Sequence, residues 1–420
     1  MTAGVDILRR LTLVAGVLVV GGCDDGAAHI PRAGIVDSAG VRLITYDLTD
    51  VSVPTHRIVA GHDLQIGETD GAPEYTFSRI ADLALASDGS IIVSDGIAQE
   101  IRVYDAAGTH RRTIGEAGQG PGEFATTPTI AGLSDDTLFT FDSRSNRLTS
   151  YTLADGRLVE MLSLRSEAIG RPISLIRLRD GTYVSQSRWT APSAAISLYD
   201  VRLDLDSIVV ERFDAEGALL DTIRVMADRT QARTVRDGGG GMIRVQQAQT
   251  PYTARAVVRS DGVRAILGRS DAFALEMLRP DGATEAVLRI LGAQHPATAN
   301  DIRVHQEGIL REDLGDQEIH PMVWRLNIEY LPERLPAFGG VVVSGNGDVW
   351  VSLTEYDLSA GLDWLVFSRT GELRGEVHTP PGLRVRQIRD DFIVGFVLDE
   401  LDVPYVRRYP LVQNLGEGPS

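Results

Sequence analysis

Ile80 to Ile114 carries three turn signals, Ser87-Asp88-Gly89, Asp95-Gly96 and Ala106-Ala107-Gly108, set between short apolar runs. Their spacing decides the fold. Residues 80–86 and 90–94 flank the first turn, residues 101–104 follow a loop over 95–100, and residues 110–114 close the unit. An Asp-Gly pair between alternating apolar residues is a strong hairpin signal, because glycine accepts the positive φ of primed turns. The unit therefore reads as four short antiparallel strands.

A second copy follows. Ile66-Gly67-Glu68 leads through Gly71-Ala72-Pro73-Glu74-Tyr75 into the first unit; Ile114-Gly115-Glu116 leads through Gly120-Pro121-Gly122-Glu123-Phe124 into the second. The copies settle into a fixed offset that pairs Ile91 with Leu138, Asp95 with Asp142, Ile101 with Leu148 and Tyr104 with Tyr151. Weaker copies turn at Asp180-Gly181, at Asp261-Gly262 and Asp281-Gly282, and at Asn346-Gly347. A last, three-stranded unit spans 385–388, 392–397 and 403–411. Self-similarity at such a period marks a stacked or radial array. Five complete units and one lacking a strand call for a strand from elsewhere, and residues 64–66 align with the outer strand over 112–114. The pattern predicts an all-β, six-bladed β-propeller of four-stranded antiparallel blades, closed by an N-terminal strand. Past residue 170 the count rests on weaker copies, and five or seven blades stay open as alternatives.

The first unit, with Asp95, Ile101-Arg102-Val103-Tyr104-Asp105 and Gly108, resembles the NHL repeat, as does the Gly120-Pro121-Gly122-Glu123-Phe124 connector. The chain as a whole is similar to the bacterial six-bladed propeller lipoproteins. The N-terminus adds to this likeness. Arg9 and Arg10 precede an apolar run over 11–20, too short for the ~20 residues that span a bilayer as a helix. Val20-Gly21-Gly22-Cys23 resembles a lipobox, which implies lipidation at Cys23, the only cysteine in the chain. The expected organisation is a signal peptide over 1–22, a tether over 23–40, the propeller over 41–412 and a tail over 413–420. The implied location is the bacterial cell envelope, extracytoplasmic and held to the membrane by the lipid.

Composition narrows the chemistry. All 41 basic residues are arginine, so Schiff-base and P-loop lysine chemistry is excluded. One cysteine excludes intrachain disulfides and multi-thiolate zinc sites. A net charge of -17 makes nucleic acid an unsuitable partner, since phosphate binding depends on clustered cations. The 43 glycines match a fold built of many tight turns.

In a four-stranded blade the turns between strands one and two, and three and four, share one face of the ring. The Asp-Gly turns are short, so that face is expected to be plain. The opposite face receives the long segments over 188–206, 227–252, 292–338 and 354–363, and long loops are often functional. Residues 299–310 read as a short helix within one of them.

Related propellers that act as lyases or lactonases hold a metal at the funnel with histidines or carboxylates. The eight histidines show no HxH or HExxH spacing, and no Gly-x-Ser-x-Gly elbow occurs. Asp95 and Asp142 occupy equivalent loop starts, where an aspartate caps its own loop or serves a funnel site. Arg188, Trp189, Trp324 and Tyr356 fall in or beside the long segments and make up a candidate ligand site, the tryptophans suited to stacking on a sugar ring or peptide. The expected function is a binding module for a peptide, glycan or envelope protein, with no cofactor and no metal. The alternative is a metal-dependent hydrolase or lyase using funnel carboxylates.

Overall fold

In a computed structural model, the described residues are 33–47, 55–59, 61–165, 171–190, 201–237, 243–250, 252–301, 303, 332–353 and 360–412. They form six antiparallel blades. Blade 1 comprises Ile80–Leu85, Ile91–Asp95, Glu100–Tyr104 and His110–Ile114, paired in that order. Blade 2 comprises Thr129–Ser134, Thr137–Asp142, Arg147–Thr152 and Leu158–Ser163. Aspartates fix the turns: Asp88 accepts the N–H of Ser90 at 2.8 Å, and Asp105 accepts those of Ala107 and Thr109 at 3.0 and 2.8 Å. Asp214 and Asp399 repeat the second pattern in blades 3 and 6. These Asx contacts occupy backbone donors that the hairpin leaves unpaired.

Blade 3 departs from the expected plan. Its strands are Arg171–Arg177, Tyr183–Trp189, Val201–Phe213 and Leu219–Asp237, with Ile243–Gln249 added to the last. Much of the expected long loops is therefore a ribbon, in which 201–205 and 231–237 pair with each other and 231–237 with 243–249. Blade 4 comprises Ala256–Ser260, Ala265–Arg269, Ala274–Leu278 and Thr284–Leu291, and blade 5 Val341–Val343, Val349–Ser352, Asp363–Phe367 and Leu373–His378. In blade 6, Arg384–Ile388, Phe392–Leu398 and Pro404–Val412 receive Leu64–Ile66 as the fourth strand, with Ile66 opposite Val406. The ring closes as the repeat predicts.

The N-terminal segment does more than close it. Val41–Asp47 lies parallel to the outer strand of blade 4, with Gly34–Ser38 beyond it, inside the stretch expected to be tether. Thr55–Ile58 then bridges blade 5 to blade 6. Three blades are thus belted before the ring is closed.

The core is distributed over the seams between blades. Ile91 and Val93 face blade 6, whereas Ile92 faces Leu138 and Tyr151 of blade 2, as strand alternation requires. Trp350 is buried in the seam between blades 5 and 6. Ala299, Asn300, Asp301 and Arg303 are helical, and the rest of the expected helix lies outside the described residues.

Candidate functional site

The ribbon of blade 3 leaves the ring on the long-loop face, and its root is polar. Register shifts between Leu205 and Ser207, so Asp206 has no ladder partner opposite the Asp228-Arg229 pair. A bulge of this kind re-aims side chains. Asp206 turns inward and is fully buried. It accepts Thr190 Oγ1 at 2.8 Å, Gln231 Nε2 at 2.6 Å and Arg229 Nε at 3.4 Å. Asp228, also buried, accepts the N–H of Ala256 at 3.0 Å, which ties the bulge to the first strand of blade 4.

Arg188 lies against both carboxylates. Its Nε is 3.5 Å from Asp228 Oδ2 and 3.9 Å from Asp206 Oδ2, while its side chain stays 29% exposed. From blade 4, Arg269 donates through Nη2 to the carbonyl of Asp228 at 3.4 Å and through Nη1 to Asp271. Burial lowers the pKa of Arg269, opposed by the nearby Asp228 charge. Taking carboxylates out of water costs several kcal/mol each, and these guanidinium groups offset it from the solvent side. Across the sheet, Ser185 and Ser187 direct their hydroxyls to buried Glu211 at 3.4 and 3.1 Å.

Asp95 and Asp142 sit on the same face of the ring, in blades 1 and 2. Asp95 accepts the N–H groups of Ser78, Arg79, Ile97 and Ala98 at 2.7 to 3.2 Å and lies 3.7 Å from Arg102. Asp142 accepts those of Ala125, Arg144 and Ser145 at 2.7, 2.9 and 3.4 Å. Both carboxylates thus pin a blade connector to the loop after the second strand. Of the residues singled out from sequence, the structure brings Arg188 together with buried carboxylates and leaves Trp189 half-buried on the adjoining position. Trp324, Tyr356 and Cys23 lie outside the described residues.

Sequence reasoning missed Asp206, Asp228, Arg229, Gln231 and Arg269. One signal was available: residues 201–206 alternate apolar and charged, which is strand periodicity rather than loop. The hairpin face is also less plain than expected. A cavity of about 610 Å³ opens between blades 1 and 2, lined by Ala86, Val103 and Leu153 together with Asp105, Arg112 and Asp136. Among the described residues, no group of three or more His, Cys, Asp or Glu side chains is arranged to hold a metal ion.

Residues 73–188 match a family model described as a 6-bladed beta-propeller. No curated protein matches the sequence. Among solved structures, a candidate exported protein from Bacteroides fragilis is 9% identical, with a TM-score of 0.48 and coverage of 88% of this chain and 99% of that one. A member of the duf4221 family from Bacteroides vulgatus is 9% identical at a TM-score of 0.47, covering 84% and 98%. A streptogramin B lyase is 11% identical at a TM-score of 0.36, covering 83% and 87%.

Proposed function

We propose that this propeller is a lipid-anchored, extracytoplasmic binding module that recognises a peptide, glycan or envelope protein through the face bearing the blade 3 ribbon. One observation carries the reading: at the root of that ribbon, buried Asp206 and Asp228 hold a guanidinium, Arg188, that remains partly open to solvent. Such a group is oriented by the protein beneath it and keeps donors for a partner, at little further loss of side-chain freedom on binding. Half-buried Trp189 beside it offers an aromatic surface of the kind that anchors ligands. The anchor rests on Val20-Gly21-Gly22-Cys23, where a cysteine follows two small residues and an apolar run.

The full chain, displayed against an array of envelope glycans and peptides, tests the module. A partner bound by the wild type is expected to be lost with Arg188→Ala or Trp189→Ala; retention in both variants places recognition elsewhere. Elemental analysis of the purified protein tests the competing hydrolase or lyase chemistry, and a tightly held stoichiometric divalent ion would overturn a binding-only role. For the anchor, a palmitate analogue is expected to label the wild type, and a Cys23→Ser protein that still carries label refutes it.

A further inference from the structure

We propose that the cavity between blades 1 and 2 is a second binding site, which takes a linear aliphatic polyamine. It lies on the hairpin face, away from the ribbon, and does not depend on what the ribbon-bearing face recognises. The cavity has a cause in the sequence. Only Asp135-Asp136 separates the first two strands of blade 2, whereas residues 86–90, 178–182 and 344–348 fill that place in blades 1, 3 and 5. The shortened turn stops below its neighbour on blade 1, and the step between them opens a volume of about 610 Å³. Small-molecule pockets are of this size.

The turn also departs from the others in how its carboxylates are used. At the matching turns Asp88, Asp180, Asp261 and Asn346 each accept the backbone N–H two residues on, at 2.8 to 3.0 Å. Among the described residues, nothing hydrogen-bonds or ion-pairs with the carboxylate of Asp135 or Asp136. Both line the cavity from blade 2, and Asp88 lines it from blade 1. Buried Ala86 and Val103 and half-buried Leu153 supply its apolar lining. Arg111 does not cancel these charges, because it is ion-paired with Asp105 at 2.6 Å; Arg112 is the remaining cation of the lining. Carboxylates contributed by two blades around an apolar lining match a chain of methylenes with an ammonium at each end. An anion would be repelled by three carboxylates, and a neutral apolar ligand would strip them of water without pairing them. A bare metal ion is not matched either, since the carboxylates are not grouped as ligands.

The experiment titrates the full chain calorimetrically with 1,5-diaminopentane, spermidine and n-pentylamine, at neutral pH and matched low ionic strength. The two polyamines should bind saturably at one per chain, and n-pentylamine, with one ammonium, about tenfold more weakly. The Asp135→Asn/Asp136→Asn double variant should weaken polyamine binding about tenfold. Asparagine accepts the left-handed backbone of Asp135 (φ +49°), so the turn survives the change. Arg112→Gln removes a cation from the lining and should tighten binding. Asp281→Asn, at a turn of blade 4, should leave it unchanged. The site is overturned if neither polyamine binds saturably, if n-pentylamine binds as tightly as 1,5-diaminopentane, or if the double variant binds like the wild type. Weaker binding by Arg112→Gln would equally overturn it, because the ligand would then carry negative charge.

Discussion

The phenol oxygen of Tyr46 accepts the backbone N–H of Leu373 at 2.8 Å and donates to the carbonyl of Gly371 at 3.1 Å. Tyr46 belongs to the N-terminal belt on blade 4, Leu373 to the last strand of blade 5. One hydroxyl therefore stitches two blades to a segment far away in sequence. Ile44 packs beside it, 2.6 Å from where a Cβ on Gly371 would stand, so the turn at Gly371 (φ +87°) closes directly on the belt.

Tyr46→Phe removes both hydrogen bonds and leaves the Leu373 N–H buried. The expected cost is about 2 kcal/mol. Urea denaturation should show a lower midpoint with an unchanged slope. A variant as stable as the wild type would mean that the belt is held by packing alone.

Asp95→Asn should destabilise the fold by about 3 kcal/mol, because four backbone donors and the nearby Arg102 lose a full carboxylate. Asp142→Asn, with three backbone donors, should cost less. If either aspartate served chiefly to hold a metal, its replacement would instead leave the metal-free protein unchanged or more stable. Equilibrium denaturation in the presence of a chelator separates the two outcomes.

Blades 1 and 2 and the closing strand were legible because their signal is local. Asp-Gly turns sit between apolar pairs, and Leu64–Ile66 could be aligned with the outer strand of blade 1. Tyr183–Trp189 lacks the apolar alternation that marks a strand: its buried inner positions include Ser185 and Ser187, which face Glu211, so the pattern fails where the seam is polar. The site at the ribbon root was hidden for a different reason. Asp206 meets Asp228 only through a register shift between two long strands, and no spacing along the chain encodes that shift. Gly34–Ser38 and Val41–Asp47 had no repeat to be aligned with, and their place on blade 4 depends on contacts such as Tyr46 to Leu373.

Acid should loosen the seam between blades 4 and 5. Burial pushes the Asp261 carboxyl up, but the N–H groups of Arg264 and Val263 and the Arg264 guanidinium outweigh it and hold the pKa below the usual carboxylate range. Arg369 of blade 5 adds a contact at 3.1 Å. A carboxyl whose folded pKa is depressed contributes stability above its unfolded pKa, about 3.9, and loses it as pH falls through the folded value. Wild type should therefore exceed Asp261→Asn in stability at pH 6, with the gap narrowing below about pH 4. A gap that is constant from pH 6 to pH 3 would show that the carboxylate charge contributes nothing.

Ring closure offers a comparison between two isoleucines of equal burial. Ile66 and Ile114 are each 1% exposed and occupy equivalent outer strands, in blades 6 and 1. Truncation to alanine should cost about 3 kcal/mol at either site by loss of buried methylenes. The consequences differ because a tight turn ties Ile114's strand to its neighbour, whereas Leu64–Ile66 reaches blade 6 from the other end of the chain. Ile66→Ala should therefore open the closing seam ahead of the rest of the ring. Native-state hydrogen exchange would show this as faster exchange confined to Leu64–Ile66 and Pro404–Val412, while Ile114→Ala spreads its effect through blade 1. Uniform acceleration around the ring in both variants would instead make the propeller one cooperative unit with no weak seam.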